Sequence, residues 1–314
     1  MRVLILSRRR TLYSTRRLVE TARDMGHRAV VVDPLNCFIV CGRTDPSVYH
    51  KNSNRRLGDV DVVLPRIGAS ITEYGLAVVR QFSIMGIPIV NNSVPIARSR
   101  DKLRSLQLLS QHDIDIPRTV MARSPSQIGR ALEAVGGPPV ILKLIQGSQG
   151  VGVMLAETLP QLEAILDTLW GLGQNILIQE FIAESRGRDI RALVVGGSVV
   201  GAMRRIARLG EFRSNIHRGG AGRIVELSEE YAQVAVRACN VMGLQVAGVD
   251  MLESRAGPKV IEINSSPGFE GLEQATRKDI AREILEYATA YAGSRAATRR
   301  PVQGRRTPAK RSRA

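Results

Sequence analysis

The sequence predicts a protein of the α/β and α+β classes, with a small open α/β domain followed by two α+β lobes. Three observations carry the prediction. Strand-like and helix-like runs alternate through residues 1–94. A glycine-rich break, GSQGVGV over residues 147–153, interrupts two apolar runs. A β-branched hairpin over residues 246–263 carries acidic residues along its strands.

The first unit, residues 1–94, opens with a buried-type strand at 2–6 and a helix at 14–25 that Gly26 ends. Further strands are expected at 28–33, 60–65 and 87–90, with helical patterning over 71–85. Alternation of this kind implies a parallel sheet covered by helices. The first strand–helix turn has no G-x-G-x-x-G and is not read as a dinucleotide site.

The second unit, residues 95–174, begins with a helix at 97–111 that carries Asp101 and Lys102. A strand at 118–122, a helix at 126–135 and a strand at 139–144 lead into the glycine loop. A strand at 153–156 and a helix at 160–169 follow it. The third unit, residues 175–292, starts with a strand at 176–181. Strands 190–195 and 198–206 form a hairpin through Gly196-Gly197, a strong turn signal. A polar loop at 208–222, a helix at 229–242, the 246–263 hairpin and a last helix at 280–292 complete the body. No internal repeat is visible.

A chain of 314 residues suits two or three domains, and a hydrophobic fraction of 44% is enough for real cores. No apolar run approaches the ~18 residues a bilayer-spanning helix needs. The basic cluster Arg8, Arg9 and Arg10 follows the short apolar run instead of preceding it, the wrong order for a signal peptide. Cys37, Cys41 and Cys239 are odd in number, and no second Cys/His pair stands at zinc-finger spacing. Idle thiols in a reducing cytoplasm are expected. The net charge of +16 is uneven: residues 295–314 carry eight cations, no acid, and Pro301 and Pro308. Residues 293–314 therefore read as a disordered basic tail that holds about half the excess charge.

The chemistry concentrates in the last hairpin, read as strands 246–252 and 258–263 around a polar break at 253–257. Alternation puts Glu262 and Asn264 on one face and turns Ile261 and Ile263 to the core. Asp250 can face the first pair from the neighbouring strand. Two carboxylates and an amide oxygen make a hard-oxygen site suited to Mg²⁺ or Mn²⁺. The plain alternative is a set of solvent-facing polar residues on an edge hairpin. Lys143 ends a strand just before Gly147, Gly150 and Gly152, whose bare backbone lets N–H groups approach phosphate oxygens. No G-K-[ST] closes that loop, and a tight turn beside a solvent-reaching lysine is the alternative there.

The order of these groups is more specific than any one of them. Lys102, Lys143 with its glycine loop, Gln179-Glu180-Phe181, Asp189, Arg213-Ser214-Asn215 and Asp250/Glu262/Asn264 stand in a succession that resembles the ATP-grasp superfamily. The segments ILSRRRTLYSTRRLVE, LPRIGASIT, SVPIARSRDKLRSLQLL, KLIQGSQGVGV, EFRSNIHRGG and AGVDMLESRAGPKVIEINSSPGFEG resemble its RimK family. The likeness covers residues 1 to about 292 and stops at the tail.

That resemblance implies an ATP-grasp fold, two lobes gripping ATP, preceded by a pre-ATP-grasp domain. It implies an ATP- and Mg²⁺- or Mn²⁺-dependent carboxylate–amine ligase. Such a ligase adds glutamate to the C-terminus of small-subunit ribosomal protein S-six, or builds poly-α-glutamate. By the same resemblance Lys102 and Lys143 contact the phosphates, Glu180 and Phe181 lie at the adenine edge, and Asp189 accepts from the ribose. Arg213, Ser214 and Asn215 reach the nucleotide and the reacting carboxylate, with Arg213 as the cation for a developing oxyanion. Asp250 holds one metal, Glu262 bridges two and Asn264 holds the second. His217 is open between a base and a structural or substrate-contacting residue.

Two rival readings stay in view. One is an ATP-grasp ligase for another amino acid, peptide or carrier protein, of glutathione-synthetase or lysine-biosynthesis kind, to be told apart by the loop at 213–220. The other is a basic RNA- or ribosome-binding protein without catalysis, against which an aromatic content of 4% offers few stacking platforms. The tail is either a solvated polyelectrolyte or a docking arm for ribosomal RNA or an acidic protein end. A homo-oligomer is compatible with all of these.

Overall fold

The computed structural model describes residues 1–51, 55–145, 152–214 and 220–298, side chains at 296–298 excepted. In the N-terminal domain the order is β1 (Arg2–Leu6), α1 (Tyr13–Asp24), β2 (Arg28–Val32), β3 (Cys37–Val40), β4 (Ser47–His50), β5 (Arg55–Arg56), β6 (Val62–Pro65) and α2 (Thr72–Ile84). The main sheet is parallel, with β1 between β2 and β6. A central parallel strand is covered on both faces, and β1 is accordingly apolar throughout. Val3 and Ile5 pack with Leu18 and Ala22 of α1, while Leu4 and Leu6 pack with Val78 and Phe82 of α2.

Two features of this domain differ from the sequence expectation. The strand expected at 87–90 is reduced to a single parallel bridge between Val63 and Ile89. The antiparallel ribbon β3–β4–β5 was not expected, because its strands are two to four residues long and their partners decide them. Phe38 and Tyr49 face each other across it with stacked rings 5.2 Å apart. The three cysteines are free thiols, and burial pushes Cys37 up to about 11 and Cys239 up to about 12.

The second region contains α3 (Ser93–Arg100), α4 (Lys102–Gln111), β7 (Thr119–Ala122), α5 (Ile128–Val135), β8 (Val140–Leu144), β9 (Val153–Ala156), α6 (Leu159–Gly171) and β10 (Ile176–Glu180). The single helix expected at 97–111 begins earlier and breaks at Asp101. There the Asp101 carboxylate accepts from Arg104 N at 3.0 Å and caps α4, so Lys102 starts a helix instead of lying within one. The four strands form an antiparallel sheet in the order β7-β10-β8-β9.

The third region contains β11 (Arg188–Val195), β12 (Ser198–Ile206), β13 (Ala221–Ile224), α7 (Glu229–Met242), β14 (Val246–Ser254), β15 (Gly257–Asn264), α8 (Glu270–Thr276) and α9 (Ile280–Thr298). Its antiparallel sheet runs β13-β12-β11-β14-β15. Gly196 and Gly197 turn β11 into β12 with φ of 59° and 86°, the left-handed pair of a tight hairpin. β13 and α8 were not expected. α9 runs to Thr298, past the expected end at Ala292: Arg295 lies over the Tyr291 ring, and Ser294 Oγ donates to Tyr291 O. The tail from 299 onward falls outside the described residues.

Buried polar contacts lock the N-terminal domain to the large sheet. Asn91 Oδ1 accepts from Gln245 N and Val246 N, and its Nδ2 donates to Val246 O and Ser265 O. Nearby, Tyr13 and Arg17 of α1 both donate to Glu273 of α8. Among the described residues no helix is long and apolar enough to cross a membrane.

Candidate active site

A cleft opens between the four- and five-stranded sheets. Lys102 lines it from α4, Lys143 from β8, and Glu180 with Phe181 from the end of β10. Asp189, Asp250 and Glu262 line it from the large sheet, and Arg213 and Ser214 from the segment after β12. Ile141, Leu177, Leu252 and Ile261 give it an apolar lining. Gly152 has a different task. At φ +74° its Cα lies so close to β8 that a Cβ would come within 2.9 Å of Leu144 Cβ. Gly147, Gly150, Asn215 and His217 lie outside the described residues.

Lateral strand pairing assembles the polar face. Arg191 of β11 stands opposite Asp250 of β14, and Asp250 opposite Glu262 of β15. Asp189, two residues before Arg191 and so on the same face, stands opposite Arg205 of β12. Between Asp250 and Met251 the register slips: Asp250 pairs with Glu262 but Met251 with Val260. The bulge leaves Ile261 without a partner and re-aims it. Ile261 therefore lines the cleft, where alternation had sent it to the core; Ile263 is buried as expected, though it too contributes to the cleft lining.

Both lone-pair sides of Asp250 are engaged. Arg191 donates to Oδ1 through Nε and to Oδ2 through Nη2, each at 2.7 Å, and Arg205 Nη2 lies 2.9 Å from Oδ2. At 2% exposure, burial alone would raise this carboxyl; the two guanidiniums overcome it and hold it below its ordinary value. Arg205 also grips Asp189, bonding through Nε at 2.7 Å and through Nη2. The expected ribose acceptor thus already has a bidentate partner. Sequence reading missed both arginines, although a charged residue inside an apolar strand such as β12 is itself a sign of a buried partner.

Glu262 is different. It has no ion-pair partner among the described residues, and the Asn264 amide lies beside it. With its oxygen accepting from Arg191 Nη2 at 3.2 Å, Asn264 donates to Glu262 Oε1 at 3.3 Å. The donor chemistry fits a hard divalent cation: one open carboxylate, an adjoining amide, and a second carboxylate with about one of four acceptor positions left. Among the described residues no group of three His, Cys, Asp or Glu is placed to hold a metal ion, and the set here is two acids and one amide.

Across the cleft, burial pushes the Lys143 ammonium down to about 8, with Glu262 opposing the shift and Lys102 adding to it. Burial lowers Lys102 too, and its Nζ donates to Leu144 O at 2.7 Å. The two lysines face the carboxylates without an ion pair to either. Arg213 is held by Glu211, which accepts from Nε at 3.0 Å and Nη2 at 2.7 Å; these bonds bring Glu211 down to about 2. Glu180 ties its end of β10 to Arg118: Glu180 N donates to Arg118 O, and its Oε2 accepts from Arg118 N.

Comparison with known proteins places this geometry. Residues 99–288 match the RimK-like ATP-grasp domain and residues 1–96 the RimK PreATP-grasp domain. A probable alpha-L-glutamate ligase of Rhodopirellula baltica is 54% identical over 290 residues, covering 92% of this chain and 71% of that one. Probable alpha-L-glutamate ligase 2 of Shewanella frigidimarina is 52% identical, covering 91% and 95%. The fold is also that of the ATP-grasp ligase PsnB complexed with a minimal precursor, Mg and ADP. The TM-score there is 0.73 at 21% identity, over 93% of this chain and 98% of PsnB. The chain belongs to the RimK family of ATP-grasp proteins and is an ATP-dependent ligase.

Proposed function

We propose that this ligase activates a peptide C-terminal carboxylate with ATP and joins it to the amine of glutamate. The observation that carries the reading is the cleft itself: two lysines, without ion pairs among the described residues, face an open carboxylate–amide set. The names of the curated relatives support glutamate as the amino acid. The acceptor proposed is the acidic C-terminus of small-subunit ribosomal protein S-six, or a growing poly-α-glutamate chain.

Lys102 and Lys143 bind the polyphosphate as point charges from the small lobe. Glu262, Asn264 and the remaining acceptor position of Asp250 would hold Mg²⁺ or Mn²⁺. An ion bound there neutralises phosphate charge during transfer. The acceptor carboxylate attacks the γ-phosphorus; the bond to the bridging oxygen breaks and ADP leaves. The glutamate amine then attacks the acyl carbon, loses a proton and expels phosphate, leaving an amide. Arg213, fixed by Glu211, is the cation that meets the oxyanion of that second step. Asp189 and Arg205 hold the floor of the ribose region as a rigid pair.

The test is ADP release by the purified protein with ATP, Mg²⁺ and a peptide ending in two glutamates, with each amino acid supplied in turn. Mass spectrometry counts the units added. ADP release that requires glutamate and lengthens the peptide by glutamyl units is expected. Release with another amino acid in place of glutamate would move the protein to the rival ligase reading.

A further inference from the structure

Two arginines beside the cleft have no role in that account. Arg66 follows β6 and Arg100 ends α3. Their identified bonds go only to backbone: Arg66 Nη2 donates to Pro267 O, and Arg100 Nη2 to Ile67 O. Neither forms an ion pair among the described residues. The undescribed stretches contain no Asp or Glu, so no further acidic side chain is in reserve.

The Arg100 guanidinium bonds the carbonyl next to Arg66 and its charge acts on Arg66. Burial and the Arg100 charge push Arg66 down to about 10. Arg100 Nε is buried and without a hydrogen-bond partner. Holding two half-buried like charges together without an acid is costly, and a fold keeps such an arrangement where an anion repays it. The acid whose field reaches Arg100 is Glu262, and Ser99 and Lys102 on either side of Arg100 line the cleft. Arg66 lies over the Phe269 ring, on the loop that follows Asn264. Arg66 and Arg100 therefore approach the carboxylate set from the side of the N-terminal domain.

Glutamate brings two carboxylates that the reaction never consumes. The polyphosphate is served by the lysines, and the acceptor carboxylate loses its charge on activation. Each guanidinium has five N–H donors in a planar fork that matches a carboxylate bidentately. We propose that Arg66 and Arg100 form a dicarboxylate subsite that holds the α- and γ-carboxylates of the incoming glutamate beside Glu262. This assignment rests on the glutamate-ligase reading above and adds the residues that select the amino acid.

The experiment measures initial rates of ADP release by the full-length protein with ATP, Mg²⁺ and a peptide ending in two glutamates. Arg66→Lys and Arg100→Lys keep a charge but lose the fork; Arg100→Leu removes the charge, and thermal unfolding verifies that each variant is folded. The expected result is a glutamate KM raised about tenfold or more, with the KM values for ATP and peptide within about twofold. Preference for glutamate over glutamine should fall in parallel. A glutamate-specific wild type whose folded variants keep the wild-type glutamate KM would overturn the assignment alone. So would a rise confined to the ATP or peptide KM. A wild type that prefers an amino acid with a neutral side chain would overturn the glutamate reading and this subsite together.

Discussion

Two pairs of arginines near the carboxylate set are treated oppositely by the fold. Arg191 and Arg205 project from adjacent and next-but-one strands onto Asp250 and Asp189, and their charges are spent inside the protein. Arg66 and Arg100 sit on loop and helix-end positions of the N-terminal side, where among the described residues their guanidiniums bond only carbonyl oxygens. The first pair is neutralised in place, which makes it scaffolding: it fixes carboxylates that would otherwise repel. The second pair is left charged, which makes it receptive. Glu262 stands between the two treatments as the carboxylate that neither pair neutralises.

The comparison breaks most visibly at Glu262 itself. Glu262→Ala should lower ligation by about 1000-fold or more, because an open charged ligand is removed where transferred charge must be met. The residue is exposed, so thermal unfolding should stay close to wild type. Near-wild-type ADP release would show that the carboxylate set is idle.

Scaffolding and receptive arginines should part next in stability. Arg205→Met strands the buried carboxylate of Asp189 and leaves Asp250 with Arg191 alone, and a loss of about 3–5 kcal/mol is expected in denaturant unfolding. Arg100→Leu strands none, and its stability should match or exceed wild type. Equal losses in the two variants would erase the distinction.

Lys143→Ala should weaken ATP binding about tenfold in thermal-shift titration with Mg²⁺, since a phosphate loses its partner in a partly desolvated cleft. The wild-type pH dependence has a definite sign. The folded value of about 8 lies below the ordinary 10.5, so the folded state binds fewer protons between those two pH values. The penalty for burying the charged amine is full below pH 8 and eases as pH rises toward 10.5. Polyphosphate favours the charged form, so ATP affinity should fall as pH rises above about 8 in wild type and change less in Lys143→Ala. An identical pH profile in the two proteins would remove Lys143 from the phosphate site.

The smallest effect is expected from deleting residues 299–314, which carry seven cations and no acid. Glutamate-dependent ADP release should be unchanged, while co-sedimentation with ribosomes at low salt should weaken. Cutting after Thr298 matters, because α9 continues that far and the Arg295–Tyr291 contact belongs to it. Lost basal activity would place the tail against the cleft.

Much of the framework was legible because it is written in local periods. Strand 2–6, strand 198–206 and helix 229–242 stand where β-branched runs and a 3.6-residue pattern put them. So does the Gly196-Gly197 turn, where both residues need positive φ. The alternation that set Glu262 and Asn264 beside one another was also local. The ribbon β3–β4–β5 was not legible, since strands that short gain their identity from partners. The break at Asp101 was hidden in a continuous helical pattern, and one capping carboxylate decided it.

The sequence by itself determined the order of lobes, the hairpin and the groups placed in succession along the chain, because each depends on residues a few positions apart. Tertiary structure decided which charges those groups keep. The charges of Asp250 and Asp189 are balanced by arginines on neighbouring strands, and Ile261 is turned to the cleft by a one-residue slip in pairing. Glu262, Arg66 and Arg100 keep theirs unbalanced, because among the described residues nothing of the other sign lies within bonding distance. Electrostatic partnership is set by distance in space and by the loss of water, and neither quantity is a property of sequence spacing.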